Sequence, residues 1–555
     1  MYIFKDKIFN NTEGYNKYCR NNINYYYTPV IFTSDTKSGE ETIKRIAFKY
    51  ENEGKIDFKN ILGAYHVIVE DLNRKEILAF TDNSGQRCFY FNDNCISDRF
   101  LQLIDFIKSE GFNLEFDEEK LIEYIYFGKN FSCSTYIKGI TKSNSQFYYK
   151  ISENGDIIQL SKNIGTLNSS NFSIDVNRFS SILKKNLMSD KSLDNKTLSL
   201  TGGFDSRYVL SMIDDPSLRI SIYTTENENL KDEIISHKIS TILKKDFENI
   251  VLSNPHYDDN DIVDCFYKND GYMSMFINLD FSYCMYAFLN YLSRNKDCKI
   301  LFTGDTGTLH KDEHWKEEFP NYNKKHTNEK RYYYNRIRPI YGTNIFSNKA
   351  KSIIADVELN IQKWLNNNIQ DINTKSIDYF EYYLNRQSFV PVYYNNKSQN
   401  IETYAPLLEY SFVINAYNQE RKYRKRGKYM IDFITRMMPD VAKVPTVLGT
   451  TTSSENKYKV KDSLLILRGY MIKAIRLIGR KIFKANLLNS HPTWSMYNDI
   501  LEKSELKKSA VNFFVKSGYI KKDTSDNINY SILSRLIESY LMYEIYTIDI
   551  KNKIR

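Results

Sequence analysis

A chain of 555 residues is too long for one hydrophobic core and predicts two or three domains of ordinary size. Its 42% hydrophobic content, with 45 Tyr and 33 Phe, excludes a disordered or low-complexity protein. The net charge of +9, from 77 basic and 68 acidic residues with no long basic block, argues for an anionic ligand rather than a nucleic-acid partner.

Seven Cys (19, 88, 95, 133, 265, 284 and 298) lie far apart, without a C-x-x-C pair or a His at ligand spacing. Free thiols in a reducing compartment are the expected state. The N-terminal MYIFKDKIFNN lacks the layout of a signal peptide, and no run of about 18 uncharged apolar residues occurs. A cytoplasmic protein with no membrane span is expected.

In chain order, residues 60–95 alternate apolar and polar positions in three runs broken by turn residues, which predicts a β-meander. EEKLIEYIYFG has helical spacing, and QFYYKISENGDIIQL predicts a hairpin with Asn154-Gly155 at its tip. Residues 1–165 therefore read as an α+β domain rich in antiparallel sheet. The polar stretch TLNSSNFSID suits a linker.

Beyond it strands alternate with helices: TLSL, SRYVLSMI, RISIYTT, DEIISHKISTILKK, ENIVL and KILFTGD. This order predicts a parallel sheet covered on both faces, within a domain spanning 166–455. From about residue 350 the chain reads as mostly helical, ending in a helical extension over 456–555.

Between TLSL and the next helix lies Thr201-Gly-Gly-Phe-Asp-Ser206. Two glycines after a strand allow successive N–H groups to face an anion, and the helix that follows presents its positive end. A structural turn fits the bare dipeptide equally well. The Lys-Ser/Thr of a P-loop and the G-x-G-x-x-G of a dinucleotide fold are both missing.

The loop resembles S-G-G-x-D-S, the pyrophosphate loop of the ATP pyrophosphatase superfamily, with Thr201 in the first position. Its surroundings, FSSILKKNLMSDKSLDNKTLSLTGGFDSR, are similar to asparagine synthetases and β-lactam synthetases. Upstream, Gly63, Asp82, Gly85, Arg87 and Tyr90 fall on the glutaminase-domain pattern of that family. LIEYIYFGKNFSCSTYIKGITK and YAPLLEYSFVINAYNQERKYRKRGKYMIDFITRMMP resemble two further family segments, and the order is kept from about residue 60 to 447.

The resemblance implies an antiparallel glutaminase-like sandwich of the Ntn type, then a parallel-sheet ATP pyrophosphatase domain of the HUP type. It implies ATP and Mg²⁺ as cofactors, with Thr201, Gly202, Gly203, Asp205, Ser206 and Gly304 around the nucleotide phosphates and Asp205 on the metal. It also implies adenylation of a carboxylate, with release of pyrophosphate, and transfer to an amine on a small-molecule or peptide substrate.

Three departures qualify this. Tyr2 stands where a working glutaminase has its N-terminal cysteine nucleophile, so this half is expected to be structural and to release no ammonia. In KILFTGDTGTLH, Asp305 takes the acidic position of the family's second motif, but Thr308 replaces a metal-binding Asp. Asp312 and Glu313 lie near enough in sequence to substitute, although a solvated charged loop is the simpler reading of KDEHWKEE. The family's catalytic lysine is replaced by Val447 or Leu448, with Lys443 as a candidate substitute.

Lesser matches are Asp232 and Glu233, at the start of a helix, and Lys428. The competing reading of the whole chain is a nucleotide-binding pseudo-enzyme or scaffold. KDSLLILRGYMIKAIRLIGRKIFK, at 461–484, predicts a basic amphipathic helix with a stripe through Leu464, Leu467, Met471, Ile475, Ile478 and Ile482. Such stripes usually pack on a core; peripheral docking on a membrane surface is the second reading.

Overall fold

A computed structural model describes residues 2–4, 7–9, 14–225, 230–252, 258–273, 279–312, 337–339, 342–369, 374–478, 504–523 and 528–547. The chain is mixed α/β, with antiparallel sheet in the N-terminal part and a parallel sheet further on. Among the described residues no helix is long and apolar enough to cross a membrane.

The meander forms as the alternation requires: His66–Asp71 pairs with Glu76–Thr81, which pairs with Phe147–Ile151 of the expected hairpin. These strands belong to a six-stranded antiparallel sheet that runs from Ile157–Ser161 to Asn16–Arg20. Its two faces bury alternate residues. Tyr26, Ile68 and Ala79 meet Ile3 and Ile96 of a five-stranded sheet and Phe89 just before its strand Tyr90–Phe91, whereas Tyr25, Val67, Val69 and Phe80 face Ile43, Ala47 and Tyr50 of helix Glu40–Glu53.

The parallel sheet runs in the order Phe247–Leu252, Arg219–Thr225, Lys196–Ser199, Ile300–Phe302, Glu402–Tyr404. Ile300 and Phe302 join the core beneath helices Asp205–Ile213 and Lys428–Met437. Leu301 points the other way, onto Phe288, Leu289 and Leu292 of helix Leu279–Lys296. The sheet is thus covered on both faces, as its nearly continuous apolar strands demand. The first strand lies at its centre, and the chain order reverses between it and Ile300–Phe302. Ligands of open α/β sheets bind at such a reversal, beyond the C-terminal strand ends.

The N-terminal part packs directly on the parallel-sheet part. The turn at 82–87 is organised by buried Asp82, which accepts from the backbone N–H groups of Ser84, Gln86 and Arg87 at 3.0, 2.9 and 2.8 Å. That turn drives the fully buried Arg87 onto Glu402 at 2.9 Å and the Thr403 carbonyl at 3.1 Å, in the edge strand of the parallel sheet. Gly63 N–H donates to Glu409 at 3.0 Å, and Ala405 N–H to Gln86 at 2.8 Å. Four of the five glutaminase-like positions, Gly63, Asp82, Gly85 and Arg87, therefore lie in or around this junction.

The C-terminal extension divides between two places. Helices Glu505–Lys516 and Tyr530–Thr547 share one core with helices Phe100–Ser109 and Glu118–Phe127 of the N-terminal part. Buried Arg535 donates to the Ile125 carbonyl at 2.9 Å, satisfying an orphan acceptor at that helix end. Helix Asn456–Ile478 overturns the core-packing expectation. Leu464, Leu467, Met471 and Ile475 are all exposed, while Asp462, on another side of the helix, is anchored to Thr451. The side chain of Ile478, and Ile482 altogether, lie outside the described residues.

Removing Arg87 leaves Glu402 buried without its cation. Burial pushes the Glu402 carboxyl pKa up, and Arg87 pulls it back. Arg87→Met is expected to lower unfolding stability by about 3–5 kcal/mol, read from urea titrations. The loss should grow as pH rises through the parent's own Glu402 pKa, itself raised above the ordinary value, because there the parent's carboxyl ionises against Arg87 while the unpaired one keeps its proton.

Candidate functional site

Three loops meet at the strand-order reversal. The first, 201–206, is closed by Ser206, whose hydroxyl accepts from Thr201 N–H at 3.2 Å and lies 3.2 Å from the Thr201 hydroxyl. Ser206 is buried, so its side chain shapes the loop. Gly203 N–H faces the Thr201 hydroxyl at 3.3 Å, and Gly202 N–H donates to Asp232 at 2.6 Å. A carboxylate already rests in the cradle that the glycines build. Burial raises the Asp232 pKa, partly offset by that Gly202 N–H, so this group sheds its charge more readily than an ordinary Asp.

The second loop, 303–308, follows Ile300–Phe302 and touches the first. A Cβ on Gly304 would lie 2.4 Å from Ser206 N, and one on Gly307 would lie 2.2 Å from the Asp205 carboxyl carbon. Neither position tolerates a side chain, since backbone and a partly enclosed carboxylate stand opposite. Thr306 turns the chain at φ 68°, in the left-handed region.

Asp305 accepts from the Tyr394 hydroxyl at 2.7 Å and pairs with Lys397 at 3.4 Å. Enclosure by protein raises the Asp305 pKa, but the Lys397 ammonium and the Tyr394 hydroxyl outweigh it and hold the carboxyl below its ordinary value. Burial lowers the Lys397 pKa, with Asp305 opposing. Tyr394 and Lys397 sit on helix Gln387–Ser398, entered through the π-helical turn Glu381–Arg386. A cavity next to them is lined by Tyr272, Phe281, Met285, Tyr393, Asn396 and Lys397. An aromatic wall ending in a cation and an amide suits a substrate with an apolar body and a polar tip.

The third loop, 444–447, is clamped by Arg207, which is fully buried. Its guanidinium donates to the Val444 carbonyl, to the Pro445 carbonyl at 2.8 Å and to the Gly202 carbonyl at 3.2 Å. Val447 N–H adds a bond to the Gly202 carbonyl at 3.3 Å. Where the resemblance expects a lysine, an aliphatic side chain therefore lies against the loop.

Of the expected residues, Thr201, Gly202, Gly203, Asp205, Ser206, Gly304 and Asp305 come together on these two adjoining loops. Lys443 does not join them by any described contact: it pairs with Asp440 at 2.9 Å on the surface. The ammonium that reaches the loop is Lys311, 2.8 Å from Asp205 Oδ1, 3.0 Å from Oδ2, and stacked over Phe204. Asp312 is buried and accepts from Arg426 N–H at 3.0 Å, so it is not part of a solvated loop. Glu313 lies outside the described residues.

Thr308 accepts from Arg386 at 2.8 Å. Glu233 is half-buried and Lys428 exposed. Among the described residues no group of three His, Cys, Asp or Glu side chains could hold a metal. With an ammonium already on Asp205 and Thr308 bound to a guanidinium, the donor set fits magnesium poorly.

Sequence reasoning missed Arg207, Lys311, Tyr394 and Lys397. Only Lys311 left a signal, standing six positions after Asp305. No protein-family model matches the chain, and no curated protein is found similar to it.

The contact between loops generates a prediction. If the loops together hold a phosphate group, as the resemblance implies, Gly304→Ala should separate them and weaken pyrophosphate binding by about tenfold or more in calorimetry, roughly 1.4 kcal/mol. Gly203→Ala, whose Cβ meets only the Thr201 hydroxyl at 3.1 Å, should change it far less. Unchanged binding in Gly304→Ala would show that the two loops do not form one site.

Proposed function

We propose that the protein is an ATP-dependent amide ligase that adenylates a substrate carboxylate and passes the acyl group to an amine. The observation that carries this reading is the meeting of two glycine loops, with Asp205 and Lys311 between them, at the reversal point of a parallel sheet. In this reading the N-terminal half is glutaminase-like and the sheet domain is of the ATP pyrophosphatase type.

The backbone N–H groups of Gly202, Gly203 and Ser206, at the end of a strand and the start of a helix, hold the β and γ phosphates of ATP. Asp232 leaves Gly202 N–H when phosphate arrives, helped by its raised pKa. Lys311 supplies the positive charge expected of magnesium and stays oriented by Asp205. A carboxylate oxygen of the substrate attacks the α-phosphorus, and the bond to the bridging oxygen of the β-phosphate breaks, releasing pyrophosphate. The amine then attacks the acyl carbon and AMP departs with the bonding electron pair, while the proton lost by the amine passes to solvent or a nearby base.

Asp305, Tyr394 and Lys397 border the acyl side. The charge on Lys397 can stabilise the oxyanion of the tetrahedral step, the role the resemblance assigned to a lysine near residue 447. The amine is not ammonia from the chain's own glutaminase half, because Tyr2 offers no thiol. That half instead holds strand Glu402–Tyr404 in place through Arg87.

A scaffold that binds nucleotide without turnover is the second reading, favoured by the self-neutralised Asp205–Lys311 pair. One experiment separates them. Purified protein with ATP and a cell extract is analysed for AMP and pyrophosphate against ADP and phosphate. AMP and pyrophosphate, reduced by a factor of about 10²–10³ in both Asp205→Ala and Lys311→Met, are expected for the ligase. ADP and phosphate would overturn it, and ATP bound without any turnover would establish the scaffold.

A further inference from the structure

Helix Asn456–Ile478 carries two parallel ridges. Val460, Leu464, Leu467, Met471 and Ile475 follow one another at steps of four, three, four and four residues, and are 69%, 62%, 55%, 55% and 45% exposed. Beside them, at steps of four and seven, run the exposed Lys457, Lys461 and Arg468. Residues 456–478 hold six Lys and Arg against one acid, Asp462. That acid is turned away from the exposed margin, bound to the Thr451 hydroxyl at 2.8 Å and the Thr451 N–H at 3.1 Å.

The attachment to the body uses other sides of the helix. Besides Asp462, Ser463 faces Arg426 at 3.4 Å, and a Cβ on Gly449 would lie 3.5 Å from Leu465. The apolar ridge extends about 22 Å at 1.5 Å per residue, and none of the described residues buries it. We propose that this helix docks the protein on the surface of an anionic lipid membrane, lying in the interface plane with the apolar ridge among acyl chains and the basic ridge at headgroup phosphates.

Three observations select this occupant. A basic margin along an apolar stripe of low net hydrophobicity is the composition of an interfacial helix, and it complements anionic headgroups. In sequence the next residues, GRKIFK at 479–484, add three more bases and no acid. A second copy is disfavoured by symmetry, because an antiparallel pairing on this face would set Lys461 and Arg468 of one chain against the same cations of the other. The inference is independent of the ligase reading, since the helix contains none of the loop residues.

The test is co-sedimentation of the full chain with vesicles of phosphatidylcholine alone and of phosphatidylcholine mixed with phosphatidylglycerol, at low and high salt. Binding to the anionic vesicles, weakened by salt, is expected. Leu464→Glu with Leu467→Glu should abolish it. Lys461→Gln with Arg468→Gln should reduce partitioning about thirtyfold, from about 1 kcal/mol per basic residue.

All four side chains are exposed, so the variants should keep the thermal transition of the parent. Absence of binding to anionic vesicles would overturn the proposal. So would equal binding to phosphatidylcholine alone, or a lipid-free dimer in sedimentation equilibrium that Leu464→Glu dissolves.

Discussion

The constraint on which the site depends is the approach of Gly304 to the backbone of Ser206, where a single added carbon would stand 2.4 Å from the amide nitrogen. Two loops at the ends of neighbouring strands can touch only if both are glycine-lined and both strands end at the same level. The register of Lys196 with Ile300 and Leu198 with Phe302 sets that level. From this contact follow the place of Gly307 over the Asp205 carboxylate and, four residues on, the reach of Lys311 to the same group. Arg207 extends the constraint to a third loop by pulling the carbonyls of Gly202 and Pro445 onto one guanidinium. A buried guanidinium needs several acceptors to offset its desolvation, and three carbonyls from two loops provide them.

The N-terminal half takes its meaning from the same site. The edge strand Glu402–Tyr404 lies next to Ile300–Phe302, and its far side is held by Arg87 and Gln86. The Asp82-organised turn thus fixes an edge of the parallel sheet. Removing the N-terminal half would strip buried Glu409 and part-buried Glu402 of partners. The C-terminal helices close the arrangement by sharing a core with the N-terminal ones.

The electrostatic character of the site differs from that of a metal centre. Asp205 and Asp305 each face a lysine, Lys311 and Lys397, contributed by the segment after the second loop and by helix Gln387–Ser398. An ammonium is a compact charge that needs no coordination shell, so it can serve a phosphate where two carboxylates and a dication would otherwise be required. Val447 then fills against Gly202 the space near which a lysine was anticipated.

The sequence by itself determined the local frame. The period-two runs of the meander, the Asn154-Gly155 hairpin, the strand–helix alternation from Lys196 onward and the Thr201–Ser206 loop all formed where their patterns placed them. Those signals act over a few residues, so they survive without knowledge of neighbours. Only the tertiary structure decided which cation meets Asp205, since Lys311 and Lys443 are alike in sequence and differ in where the chain carries them. The burial of Asp312, the Arg207 clamp and the Arg87 junction were illegible for the same reason: each is an interaction between groups from distant segments. The stripe of helix Asn456–Ile478 marks the limit of pattern reading. Its spacing established an apolar face, but whether protein covers that face depends on the surface opposite, and none of the described residues covers it.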